Sequence, residues 1–154
     1  MVTITYLKQH PKYVPLLAHW SYSTWGKYNP SASLEIAVQK FTEHLNDDHL
    51  PLTYIALDEN KPVGTCSLRE VDGVKSEHSP WLGSLYVVPE YRGQGIGEKL
   101  ISTCLQKAHG MGYAKLYLLT FELSLSIWYE RLGWKLIGDD TLNGFPVHIM
   151  EYFI

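Results

Sequence analysis

The chain has 154 residues, of which 45% are hydrophobic and 19% are charged, and its formal net charge is −3. These values exclude a disordered chain and the broad basic surface that nucleic-acid binding requires. They fit a single domain over residues 1–154. No apolar run reaches the ~18 residues that a membrane span needs, and the first residues lack the basic start and apolar core of a signal peptide. We therefore expect a cytoplasmic protein with no membrane or nucleic-acid partner.

The first third of the sequence predicts one strand and two helices. Residues Thr3–Leu7 alternate as a strand does, and Tyr13–Trp25 predict a helix that breaks at Gly26. The pair Asn29-Pro30 predicts the start of the second helix, because proline suits a first helical turn. This helix carries an apolar stripe at helical spacing, which indicates one buried face. The stripe consists of Leu34, Val38, Phe41 and Leu45.

The middle of the sequence predicts a hairpin, a loop and an apolar strand. Residues Leu52–Leu57 and Val63–Arg69 flank a cluster of turn-forming residues, so we expect two antiparallel strands. The stretch Glu70–Pro80 holds charges, a glycine and a proline, which is typical of a loop. Residues Trp81–Val88 predict a strongly apolar strand that ends before Pro89.

The second half predicts an alternation of helices and strands. Gly95–Gly110 carries the clearest helical periodicity of the chain, and Lys115–Thr120 is apolar on both faces, as a central strand is. A short helix is predicted at Ser124–Leu132. Two final strands, Trp134–Ile137 and Val147–Phe153, flank a turn region. The whole chain therefore predicts one mixed α/β domain.

Cysteine and histidine usage predicts no metal site. Cys66 and Cys104 stand in apolar patterns without CxxC spacing, so we expect both to be reduced core residues. The seven histidines show no ligand spacing. His44 and His49, for example, are five residues apart, which separates them by about 140° on a helix.

The segment Leu85–Gly97 reads LYVVPEYRGQGIG and predicts a strand, a glycine loop and the start of a helix. Glycines permit positive φ and a close approach to backbone N–H groups. A helix N-terminus adds unpaired donors and a partial positive charge, so the segment predicts a phosphate or diphosphate site. A Walker loop would need Lys and Ser/Thr after Gly97, and a dinucleotide fingerprint would need glycine where Glu98 stands. A purely connecting loop remains the alternative.

This segment resembles the acetyl-CoA-binding motif of the GNAT superfamily of N-acetyltransferases, Gln/Arg-x-x-Gly-x-Gly/Ala. Arg92, Gly95 and Gly97 occupy its three defining positions. A second segment, Trp128–Trp134 (WYERLGW), is similar to the aromatic-Tyr-Glu-x-x-Gly-aromatic signature of the same family. The resemblance implies a GNAT-type α/β fold with a mixed, mostly antiparallel sheet of about seven strands. It also implies a splay between strands four and five and about four flanking helices.

The resemblance implies acetyl-CoA as cosubstrate and no metal. Main-chain groups of the fourth strand would pair with the pantetheine arm, the glycine loop would hold the diphosphate, and the Val87 N–H would stabilise the developing oxyanion of the thioester. The expected contacts are Leu85, Tyr86, Val87, Arg92, Gly93, Gln94, Gly95, Ile96, Gly97, Thr120 and Tyr129.

Tyr129 stands where the family has its general acid, which protonates the departing CoA thiolate. The alternative is a core tyrosine that packs on Leu125 one helical turn earlier. The base is less clearly indicated, because many relatives carry a glutamate at the start of the fourth strand and this chain has Trp81 and Leu82 there.

Candidates for the base precede that strand or follow the third one. Glu77 or His78 comes just before the fourth strand, and Glu70 or Asp72 follows the third. The alternative for each is a solvated loop residue. Deprotonating an amine of pKa ~10.4 at pH 7 costs about 4.6 kcal/mol, whereas an α-amine of pKa ~8 costs about 1.4 kcal/mol. The lack of an obvious base therefore favours an acceptor amine of low pKa.

Aromatic residues are concentrated in the region that caps the acceptor site in such folds. We expect Trp25 and Tyr28 to line that pocket, because aromatic faces attract cations, and packing against the sheet is the alternative. The resemblance implies acetyl transfer to a primary amine by direct attack. A polyamine, an antibiotic, an amino acid and a peptide N-terminus all stay open as acceptors. The alternative is a catalytically silent CoA-binding sensor or interaction domain. C-terminal strands of the superfamily often join dimers, so a homodimer is a further expectation.

Overall fold

The computed structural model describes residues 1–74 and 76–154. Within them the strands are β1 (Val2–Tyr6), β2 (Leu52–Asp58), β3 (Lys61–Arg69), β4 (Trp81–Val87), β5 (Lys115–Thr120), β6 (Lys135–Leu142) and β7 (Phe145–Phe153). The α-helices described there are α1 (Val14–Trp25), α2 (Leu34–Glu43), α3 (Ile96–Gly110) and α4 (Leu123–Arg131). Short 3₁₀ turns include Gly26–Tyr28 after α1 and Pro89–Tyr91 after β4.

All seven strands belong to one sheet of order β1-β2-β3-β4-β5-β7-β6. Every neighbouring pair is antiparallel except β4 and β5, which are parallel and pair only at Trp81 and Tyr117. The Tyr117 N–H also donates to the carbonyl of Pro80, at 3.0 Å. Beyond this point the two strands separate. The predicted mixed sheet with a splay between the fourth and fifth strands is therefore confirmed.

The sheet buries both of its faces. One face packs against α3 and α4 in a cluster that includes Leu68, Leu100 and Leu118. The other face packs against α1 and α2 around Leu17 and Phe41. The predicted stripe of α3, and Val38, Phe41 and Leu45 of the stripe predicted for α2, thus pack against the sheet. Leu34, the fourth residue of the predicted α2 stripe, is exposed, because it stands at the first position of the helix. The helices therefore cover the two faces of the sheet on which β4 and β5 lie.

Both cysteines are free and buried, Cys66 on β3 and Cys104 on α3, as predicted. Among the described residues no group of three or more His, Cys, Asp or Glu side chains could hold a metal ion. None of the helices in that part of the chain is long and apolar enough to cross a membrane.

The second helix begins later than the sequence predicts. It starts at Leu34 because the Ser33 side chain caps it, accepting a hydrogen bond of 3.1 Å from the Ile36 N–H. The predicted start at Asn29-Pro30 is wrong. The Asn29 side chain instead accepts a hydrogen bond from the Ser31 N–H and forms a local turn.

The last two strands are longer than the sequence predicts. They form a hairpin in which Leu142 pairs with Phe145 across two residues, Asn143 and Gly144. Both connecting residues have positive φ, 53° and 82°, as two-residue hairpin turns require. The prediction of a turn over residues 138–146 is therefore wrong in its extent, because only Asn143 and Gly144 form the turn. Asn143 contacts Tyr28 in the segment that follows α1.

Candidate active site

A cleft of about 1280 Å³ opens where β4 and β5 separate. One end of the cleft is formed by the glycine loop and the start of α3. The other end lies between α2 and the C-terminal end of β3. The 3₁₀ turn Gly26–Tyr28 and the β6–β7 turn border it. We call the first part the loop end and the second part the acceptor end.

A β-bulge in β4 lies at the middle of the cleft. Between the pairs Thr65–Tyr86 and Ser67–Gly83, β4 carries one residue more than β3. Ser84 takes up the irregularity with a positive φ of 52°. A bulge bends its strand and increases the local twist, so the bulge contributes to turning β4 away from β5.

The bulge leaves backbone groups of β4 facing the gap. The Val88 N–H donates to the Val63 carbonyl of β3, at 2.9 Å. Because successive residues of a strand direct their main-chain groups to opposite sides, those of Leu85 and Val87 face the gap and those of Tyr86 face β3. Among the expected main-chain contacts, Leu85 and the Val87 N–H are therefore in position to pair with a ligand, whereas Tyr86 is not. The Val87 carbonyl is already bonded to the Arg92 side chain.

The glycine loop is held against the end of β4. The Arg92 side chain donates from Nε to the Val87 carbonyl, at 2.8 Å, and its guanidinium lies 5.4 Å from the centre of the Tyr86 ring. Arg92 therefore braces the loop. Gly95 is the N-cap of α3, with φ of 83° and no side-chain capping bond. The first N–H groups of α3 thus remain available to an anion.

Tyr129 lies in the wall of the cleft on α4. It is 7% exposed, and its ring packs between Trp128 and Trp134, with centroid distances of 5.0 and 6.0 Å. Burial raises the pKa of Tyr129, so the phenol keeps its proton at neutral pH. Its hydroxyl makes no hydrogen bond to any other described residue, so it can donate one to a ligand. The Thr120 hydroxyl, by contrast, is occupied at the start of α4, where it contacts the backbone of Glu122.

The expected bases before β4 lie outside the cleft. Glu77 and His78 are exposed, and the His78 ring stacks on Tyr117 with a centroid distance of 4.3 Å. Neither lines the cleft, so the geometry does not favour them as bases. Glu70 is exposed and does not line the cleft either, whereas Asp72 does lie at the acceptor end. There its Oδ1 accepts a hydrogen bond of 2.5 Å from Nη1 of Arg69.

Arg69 connects Asp72 to the bulge of β4. Its second terminal nitrogen, Nη2, donates to the Ser84 hydroxyl. The guanidinium lies directly over Gly83, where an added Cβ would be 2.9 Å from Cζ. Burial raises the pKa of Asp72, although the positive charge of Arg69 opposes this effect. The Arg69 side chain thereby joins the end of β3 to the loop that follows it and to the bulge of β4.

Two basic side chains of α2 face this arginine across the acceptor end. His44 is buried and its Nδ1 lies 2.8 Å from the Thr53 hydroxyl. Burial, together with the charges of Arg69 and Lys40, lowers the pKa of His44 to about 3, so the ring is neutral. Burial and the charge of Arg69 lower the pKa of Lys40 to about 7. The sequence pattern alone predicted no role in the site for Lys40, His44 or Arg69. The spacing of Lys40 and His44 on one helical face was the available signal.

Both expected acceptor-site aromatics border the acceptor end. The Tyr28 ring stacks on Phe121 with a centroid distance of 3.8 Å and meets the edge of Phe145 at 5.2 Å. Asn143 of the hairpin turn also donates to the Tyr28 carbonyl, at 3.2 Å. Tyr28 thus ties the segment after α1 to the β6–β7 turn, while Trp25 is half-buried beside it.

Comparisons with known proteins agree with this geometry. A model of the acetyltransferase (GNAT) family matches residues 14–134. Human N-acetyltransferase 8B is 39% identical over 93 residues, which cover 58% of this chain and 41% of that protein. Human N-acetyltransferase 8 is 35% identical over 88 residues, covering 55% of this chain and 39% of that protein. The matched region thus spans about two fifths of each relative's length.

Solved structures share the fold. An aminoglycoside 6'-N-acetyltransferase complexed with coenzyme A has a TM-score of 0.73 and 18% identity, over 98% of this chain and 96% of that one. Arabidopsis thaliana NAA60 in complex with acetyl-CoA has a TM-score of 0.76 and 17% identity, over 100% and 99% of the two chains. At these identities the likeness concerns the fold alone.

The contact between Arg69 and Gly83 generates a prediction. Gly83→Ala places a methyl group against the guanidinium and displaces it from Ser84 and Asp72. We expect a loss of about 1–3 kcal/mol in the free energy of unfolding, the usual effect of losing hydrogen bonds to a charged group. Gly138→Ala is the matched control, because an added Cβ there meets nothing within 4 Å. Urea unfolding of both variants measures the difference, and equal midpoints would contradict the role of Arg69.

Proposed function

The chain belongs to the acetyltransferase (GNAT) family, and from that membership we propose that it transfers an acetyl group from acetyl-CoA to a primary amine of a small molecule or peptide, by direct attack. The observation that carries the proposal is the gap between β4 and β5. There, unpaired main-chain groups, an uncapped helix N-terminus and the Tyr129 hydroxyl line one continuous cleft.

The described residues fit coenzyme A in charge and shape. An extended arm that carries amides can pair with Leu85 and with the Val87 N–H as an added strand does, because these main-chain groups face the gap. A diphosphate suits the free N–H groups and the partial positive charge at the start of α3. The solved relatives that contain coenzyme A or acetyl-CoA support the same ligand.

The proposed reaction is a single acyl transfer. The lone pair of the acceptor nitrogen attacks the thioester carbonyl carbon, so that a C–N bond forms and the C–S bond breaks. The Val87 N–H faces the gap and stabilises the oxyanion that develops during the attack. The electron pair of the broken bond goes to sulfur, and Tyr129 donates its proton to the thiolate. The nitrogen releases a proton to water, and Tyr129 regains its own from water.

The acceptor amine must be neutral to attack. We propose that the acceptor end lowers the pKa of this amine, so that no dedicated base is needed. Asp72 already accepts a hydrogen bond from Arg69 through Oδ1, and we assign it no base role. The same surroundings lower the pKa of the Lys40 amine to about 7, through burial and the charge of Arg69. An acceptor amine beside Lys40 experiences the same two effects. At neutral pH it therefore loses its proton more readily than in water.

Thiol release from acetyl-CoA tests the proposed activity. With the purified chain, we expect release to depend on added amine and to stop when the amine is omitted. A silent CoA-binding domain would bind the thioester and release no thiol above the background with any amine of a broad panel. That result would overturn the proposed function.

Tyr129→Phe tests the role of the phenol. We expect kcat to fall by about 10²–10⁴-fold, the usual contribution of a general acid, because the thiolate then departs without a proton. The affinity for acetyl-CoA should change little, since the ring remains. Tyr113→Phe, outside the cleft, is the matched control. A Tyr129→Phe variant with unchanged turnover would rule out the acid role.

Trp25→Ala tests whether the aromatic residues after α1 contact the acceptor. We expect kcat/KM for the acceptor to fall by about 3–10-fold, as the loss of an aromatic or cation–π contact of about 1 kcal/mol implies. The affinity for acetyl-CoA should be retained. The control is Phe153→Ala, which removes an exposed aromatic ring outside the cleft. Intact acceptor kinetics in a folded Trp25→Ala variant would exclude this contact.

A further inference from the structure

The acceptor end of the cleft holds more positive than negative charge. Lys40 on α2 and Arg69 at the end of β3 both line it, and Lys27 lies at its border. Asp72 is the acidic residue between α2 and β3. The other acidic residues that line the cleft, Glu98 and Glu122, lie at the starts of α3 and α4 instead.

Asp72 neutralises the charge of Arg69 alone. Its carboxylate is 2.5 Å from Nη1 of Arg69, whereas Lys40 makes no ion pair with any other described residue. His44 adds no negative charge, because its ring is neutral and bonded to Thr53. Below about pH 7 the acceptor end therefore keeps an excess of about one positive charge, carried by Lys40 and shared with Arg69.

Both cations lack interactions that a bound anion would supply. Burial and the repulsion of Arg69 disfavour the charged form of Lys40, which is why its pKa falls to about 7. Nε of Arg69 is buried and finds no acceptor among the described residues. A polar site that is short of counter-charge is stabilised by a ligand that provides it.

We propose that the acceptor carries a carboxylate as well as its reactive amine, and that this carboxylate binds at Lys40 beside Arg69. The inference rests on the proposed function and narrows its substrate class to small amino acids and similar amines with one carboxylate. One excess positive charge matches a monoanion, and the planar carboxylate suits both lysine and arginine donors.

The same charges disfavour other acceptor classes. A polyamine or an aminoglycoside brings further ammonium groups towards Lys27, Lys40 and Arg69, where like charges repel. Among the acceptors that the sequence leaves open, the amino acid is the one that the charges favour.

Matched substrates test the proposal in the thiol-release assay with the full chain. The panel holds α-amino acids, their methyl esters and carboxamides, and spermidine. We expect kcat/KM to be at least about tenfold higher for the acid than for its ester, as one ionic contact of about 1.4 kcal/mol implies. The amine of the ester is the less basic, so availability of the neutral nucleophile alone would favour the ester. A preference for the acid therefore reports binding of the carboxylate.

Variants of Lys40 assign the effect to this site. Lys40→Met should raise KM for the acid by a much larger factor than KM for the ester, whereas Lys40→Arg should keep the preference. Lys135→Met, an exposed lysine outside the cleft, is the charge-matched control. Equal kinetics of wild type and Lys40→Met with the acid would overturn the proposal.

The pH dependence provides an independent readout. The ammonium of Lys40 is present below its pKa and is lost above it, so KM for the acid should rise as the pH increases above about 7. The groups that face Lys40 are His44, Arg69 and Asp72; Arg69 keeps its charge, and His44 titrates far below this range. Lys40→Arg should abolish the rise. A rise that persists in Lys40→Arg would assign it to Asp72 and contradict the role of Lys40.

The outcomes separate this proposal from the proposed function. Thiol release with esters or spermidine at least as fast as with acids would refute the carboxylate site and leave the acetyltransferase activity intact. Absence of thiol release with every amine would refute both. A preference for acids that Lys40→Met removes would support both.

Discussion

The site depends on the single point at which β4 and β5 pair. At Trp81 and Tyr117 the sheet is continuous, and beyond it two central strands of a buried sheet have no strand partner on one side. Buried backbone groups need hydrogen-bond partners, so this gap has a strong requirement for a ligand that presents amides in an extended arrangement. The bulge at Ser84 and the layers of helices on both faces keep the strands apart.

Arg69 joins the acceptor end of the cleft to the β4 bulge at its middle. This side chain contacts Ser84 of the bulge, which shapes the gap, and Asp72, which lies at the acceptor end. A change in charge at the acceptor end can therefore move Arg69 and, with it, the bulge of the strand that would hold the thioester. Tyr129 lines the same cleft from α4, so the proposed proton donation would come from an element that does not form the acceptor end.

The loop end could be predicted from the sequence, because the residues that form it lie close together along the chain. The glycines, the brace Arg92 and the helix start all lie within one short segment, and Tyr129 lies in a second one. The charged cluster could not be predicted in the same way. Lys40 and Arg69 share the acceptor end only through the tertiary structure, which brings α2 and the end of β3 to one cleft. Glu77 and His78 fall outside the cleft, where the His78 ring stacks on Tyr117. Such contacts depend on tertiary packing, which periodicity does not encode.

Calorimetric titration with coenzyme A, acetyl-CoA and pantetheine tests the central claim most directly, because pantetheine lacks the diphosphate. If the separated strands hold the pantetheine arm and the start of α3 holds the diphosphate, both coenzyme A and its thioester will bind. Pantetheine will then bind at least about tenfold more weakly, since it loses the charged contacts of about 1.5–3 kcal/mol each at the helix N-terminus. Absence of any heat of binding with coenzyme A and acetyl-CoA at millimolar concentrations, on folded protein, would contradict the account.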